Sequence, residues 1–74
     1  MPPYKPISFR EVKRKLEALG FSMISQKGSH LKFVRYIQQG TITAIVPRHK
    51  EISAGTVKSI IKQAMISQDI FDDA

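Results

Sequence analysis

The chain of 74 residues contains no cysteine. This excludes a disulfide framework, a thiolate metal cluster and a cysteine nucleophile, and nothing points to an oxidising compartment. Acids are scarce as well, six against twelve lysines and arginines. They are too few and too scattered for a convincing carboxylate pair or a magnesium cage, so two-metal nuclease chemistry is not expected. No GxSxG elbow, Walker loop or HExxH is present. No apolar run is long enough to span a bilayer, and the N-terminal MPPYKPISFREVKRK has no stretch of signal-peptide character. A soluble, cytoplasmic protein without a membrane partner is therefore expected.

What is present is positive charge. The net charge is +6, a balance that suits polyanions such as nucleic acid, or an acidic protein partner. Lys27, Lys32, Arg35, Arg48, Lys50, Lys58 and Lys62 are accompanied between positions 27 and 62 by one acid, Glu51, whereas Asp69, Asp72 and Asp73 lie in a C-terminal stretch without a cation. The middle of the chain is the candidate anion-facing surface. The plain alternative is that these side chains only keep a small domain soluble. At this length a single domain over 1–74 is expected, near the lower limit for a core without metal or disulfides, with little room for more than one site.

Hydrophobic periodicity divides the chain. Residues 1–6 hold three prolines and read as an irregular lead-in. Ser8-Phe9-Arg10-Glu11 matches a capping box, and Phe9, Val12, Leu16 and Leu19 form the apolar stripe of a helix that Gly20 ends. The period then becomes two. Residues 21–26, 30–37 and 41–46 read as strands joined by turns at Lys27-Gly28-Ser29 and Gln38-Gln39-Gly40, which gives an antiparallel meander. In the middle strand Leu31 and Phe33 share one face, while His30, Lys32, Val34 and Tyr36 share the other. After a polar loop, Pro47-Arg48-His49-Lys50-Glu51, a second helix carries the stripe Val57, Ile60, Ile61, Ala64 and Met65, with Lys58, Lys62 and Gln63 outward. Ser67 caps a final helical turn in the acidic tail 67–74. The predicted fold class is α+β, a two-layer α-β-β-β-α domain with two helices on one face of a three-stranded antiparallel sheet.

Histidine among cations is the chemistry that remains. An imidazole can exchange a proton at neutral pH, and RNA cleavage needs a base for the ribose 2′-hydroxyl and cations for the phosphoryl oxygens. His30 stands at the start of the middle strand, where a solvated or binding role is the simpler reading. His49 lies in a loop where it could contact phosphate. Together the two could supply half of a zinc site, but cysteine and a plausible carboxylate partner are missing. Gly28 serves the turn; Ser29 could orient a phosphate or cap the turn. Lys32, Arg48 and Lys50 are the cations placed near His30 if the strands pair. Ser53-Ala54-Gly55-Thr56 could offer amides to a phosphate or serve as an ordinary cap.

Taken together, Leu19-Gly20-Phe21, Lys27-Gly28-Ser29-His30, Val46-Pro47-Arg48-His49, and Gly55-Thr56 followed by Ile60-Ile61-Lys62-Gln63-Ala64 resemble the HicA, or YcfA-like, family of toxins, from about Ile7 to Phe71. The resemblance implies a fold like the double-stranded RNA-binding domain. It also implies a toxin that cleaves messenger RNA without a metal or other cofactor, and a HicB-like antitoxin that covers the active site. The family's catalytic histidine falls on His30. Lys27, Ser29, Lys32, Arg48, His49 and Lys50 are the expected RNA contacts. A non-catalytic RNA-binding module using the same basic face is the alternative, and a protein-interaction domain a third reading.

Overall fold

Ser8 sets the first boundary of the chain. Its side-chain oxygen accepts the Glu11 N–H at 3.1 Å and starts helix α1 (Phe9–Ala18). The reciprocal half of the expected capping box is replaced: the Glu11 carboxylate is held by Arg14, whose Nε lies 2.9 Å from it. The computed structural model describes residues 3–74; Met1 and Pro2, at the start of the expected lead-in, lie outside the described residues.

Ile7–Ser8 forms a short strand, β1, before the helix. The sheet that follows consists of β2 (Ser22–Lys27), β3 (His30–Ile37) and β4 (Gly40–Pro47), antiparallel in the order β2-β3-β4. Next come β5 (Glu51–Ile52), α2 (Ala54–Gln63) and α3 (Gln68–Asp73). The order α-β-β-β-α is thus present, extended by α3 and by a second, two-stranded sheet in which Ile7 pairs with Ile52 and Ser8 with Glu51. Two-residue strands leave no periodicity to read, which is why sequence alone places Glu51 in the loop.

One face of the large sheet carries the core. Leu31 and Phe33 of β3 and Ala44 and Val46 of β4 join Val12 and Leu16 of α1 and Val57, Ile60 and Ile61 of α2 in a buried cluster. Both amphipathic helices need an apolar surface to cover, and this sheet face supplies it. His30, Lys32 and Tyr36 are exposed on the opposite face, and among the described residues all three helices send their buried apolar side chains to the first face instead.

One detail corrects the sequence reading and two add to it. Met65 does not continue the α2 stripe. The helix gives way at Ala64, Met65 adopts φ +59° and its side chain is 75% exposed, because a left-handed residue swings its Cβ off the buried face. Gln63 is not merely outward: its Oε1 accepts the Ile45 N–H at 3.0 Å and so blocks part of the β4 edge. The acidic tail is anchored through its one aromatic residue. Phe71 is 1% exposed in the core, while Lys15 Nζ donates to the carbonyls of Phe71, Asp72 and Ala74 at 3.1, 2.9 and 3.2 Å and sits 5.4 Å from the Phe71 ring centroid. A cation at the last carbonyls of a helix complements both its unpaired acceptors and its dipole.

Candidate functional site

The β2–β3 hairpin determines where His30 stands. Its turn has two central residues, Gly28 and Ser29, and Gly28 takes φ +60° with open space where a Cβ would lie. A glycine with positive φ at the first central position is what a type II′ turn uses, and such turns match the twist of the strands. The register that results pairs Lys27 with His30 and His30 with Pro47. His30 is exposed, at the very start of β3 and on the open face. Lys32 is also exposed on that face, opposite Ile45.

A backbone hydrogen bond then ties the second motif to the first. The Arg48 N–H donates to the carbonyl of Ser29, which fixes the start of the Pro47-Arg48-His49 segment against the Gly28-Ser29 turn. A little further on the chain meets α1: the Phe9 N–H donates to the Lys50 carbonyl at 3.4 Å. Between these two ties an open cleft is lined by Ser8, Phe9, Arg10, Arg48, His49 and Lys50. The site residues expected from sequence therefore form two adjoining groups. Lys27, Ser29, His30 and Lys32 belong to the hairpin and open sheet face, His49 and Lys50 to the cleft, and Arg48 to both.

Arg10 joins the cleft although nothing in the sequence singles it out. It lies on α1, remote in sequence from the loop, and only the β1–β5 pairing and the Phe9–Lys50 bond bring it there. No local signal announces such a placement. Ser53, conversely, is a cap: its Oγ accepts the Thr56 N–H at 3.4 Å and donates to Thr56 Oγ1 at 3.0 Å.

Electrostatically the site is one-sided. Between Glu17 and Glu51 the sequence contains no acid, so none of β2, β3 or β4 carries a carboxylate. On α1, Glu11 is paired with Arg14, whose hydrogen-bonding guanidinium holds its carboxyl below the usual range. Among the described residues no group of three or more His, Cys, Asp or Glu side chains converges to hold a metal ion. Chemically, the arrangement offers an accessible imidazole for proton transfer, flanked by cations that can hold a phosphodiester.

No curated protein matches the chain. A family model described as the HicA toxin of bacterial toxin–antitoxin systems matches residues 9–66, which takes in α1, the whole three-stranded sheet, the cleft loop and α2. That span covers well over half of the sequence and includes His30, Arg48 and His49, and the chain belongs to the HicA toxin family.

Proposed function

We propose that this toxin is an endoribonuclease, an mRNA interferase, in which His30 transfers a proton during cleavage of messenger RNA. The observation that supports the reading is the backbone tie between Ser29 and Arg48, which brings the Arg48 segment to the turn that precedes the exposed His30, at one end of a carboxylate-free sheet. The reaction needs no metal. A base removes the proton of a ribose 2′-hydroxyl, the resulting oxygen attacks the adjacent phosphorus, and the bond to the 5′-oxygen of the next nucleotide breaks as that oxygen gains a proton. The products are a 2′,3′-cyclic phosphate and a 5′-hydroxyl. His30 handles the proton; Arg48 and Lys32 stabilise charge on the phosphoryl oxygens. Lys27, Ser29, His49, Lys50 and Arg10 hold the backbone of the RNA. The protein acts in the cytoplasm, and a HicB-like antitoxin silences it by covering this face.

A cleavage assay on end-labelled single-stranded RNA, run in excess EDTA beside a binding assay at several salt concentrations, tests the proposal. Cleavage in EDTA supports it. Salt-sensitive binding without any product would instead assign a non-catalytic RNA-binding module.

A further inference from the structure

The open sheet face continues well beyond His30. Along β3 the same face carries Lys32, Val34 and Tyr36, and across on β4 it carries Pro47, Ile45, Thr43 and Thr41, their register partners. Val34, midway along this face, is 2% exposed, so the surface open to a ligand lies on either side of it, at Lys32 and Tyr36. At the far end Tyr36 is 72% exposed, opposite Thr41, and its hydroxyl has no hydrogen-bond partner among the described residues. A tyrosine placed this way contributes little to the fold. Its ring is a flat, solvated surface on a face that bears lysine and no carboxylate.

We infer that Tyr36 is a base-stacking residue for the substrate, and that the enzyme takes RNA with a run of unpaired nucleotides along β3 between the scissile phosphate at His30 and this ring. The inference rests on the ribonuclease reading and adds to it a specificity residue and a minimum substrate length. Chemistry favours RNA over a protein partner here: Lys32 supplies a phosphate contact midway, the exposed Ile45 presents apolar surface for base edges, and Tyr36 offers a π-face, the combination that single-strand binding uses. Six residues of antiparallel strand separate Tyr36 from His30, a span of about 20 Å. That is about six stacked nucleotides at roughly 3.4 Å each, more than a stacked tetranucleotide spans. A duplex keeps its bases paired and cannot supply one to the ring.

The test uses binding and cleavage together. Affinity is measured in the non-cleaving His30→Ala background by fluorescence anisotropy, with and without Tyr36→Ala or Tyr36→Phe, on an unpaired dodecamer, the same sequence as a duplex, and a tetranucleotide. Tyr36→Ala is expected to weaken dodecamer binding about tenfold, with Tyr36→Phe near the parent and no effect on the duplex or the tetranucleotide. With His30 intact, the same change is expected to raise KM on the dodecamer and leave kcat close to the parent value. Unchanged dodecamer affinity in Tyr36→Ala overturns the inference, as does an equal loss on the tetranucleotide. Loss of antitoxin binding with RNA affinity intact also overturns it, and assigns the face to the protein partner. Failure of the ribonuclease reading shows separately, as absence of cleavage by the parent whatever residue stands at position 36.

Discussion

The Arg48 amide and the Ser29 carbonyl share a backbone hydrogen bond that joins two segments distant in sequence. Because the bond is made by main chain, it survives replacement of Arg48 by any residue that keeps a backbone N–H, which excludes only proline. An Arg48→Ala variant is therefore expected to keep the geometry of His30 and the melting temperature of the parent, while losing phosphate affinity. The salt dependence of single-stranded RNA binding reads this directly. Removing one phosphate contact lowers the slope of log K against log salt by about 0.7, and Lys32→Ala and Lys50→Ala are expected to do the same. A slope identical to the parent's would remove Arg48 from the interface.

Gly28 should be costly to replace even though nothing crowds it. With φ at +60° and open space where a methyl group would project, the penalty is backbone strain alone. Gly28→Ala is expected to lower stability by about 1–2 kcal/mol, read by urea denaturation. Cleavage should fall further than stability does, since the same turn sets the position of His30.

Met65 makes the opposite case. It is a non-glycine residue at φ +59° whose side chain is three-quarters exposed, so little packing is lost when it is removed. Relief of left-handed strain, about 1–2 kcal/mol, exceeds the added flexibility of the unfolded chain, about 0.4–1 kcal/mol. Met65→Gly should accordingly raise the melting temperature. A lower melting temperature would show that the exposed thioether contributes packing.

The fold is legible in the sequence wherever a repeating pattern exists. Val12 and Leu16, Leu31 and Phe33, and Val57, Ile60 and Ile61 are buried where their spacing places them. Legibility ends where backbone geometry or tertiary contact decides the outcome. Met65 continues the apolar spacing of α2, yet the helix has already ended. Gln63 looks like a surface residue until β4 presents the Ile45 amide to it. The hairpin with His30 can be read from a turn glycine followed by alternation; Arg10 cannot, because its place beside His49 depends on two paired dipeptides on opposite sides of the sheet sequence.

Phe71 tests how firmly the C-terminal helix belongs to the domain. It is fully buried against the core and its carbonyl is held by Lys15. Phe71→Ala should cost about 3–5 kcal/mol, a large share of the stability of a domain this small. Lys15→Met should cost much less, because it removes hydrogen bonds to carbonyls at the chain end and keeps an apolar stem over the ring. Equal destabilisation by the two variants, measured by chemical denaturation, would contradict this ranking.

The central claim concerns His30, and single-turnover cleavage of unpaired RNA in EDTA, with parent and His30→Ala compared at matched purity, tests it most directly. His30 is exposed at the start of β3, so the variant is expected to melt with the parent and bind RNA comparably. Its cleavage rate should fall by about 10²–10⁴, the usual contribution of a general acid or base. A variant that cleaves as fast as the parent, or one that loses activity only because it no longer folds, would contradict the account.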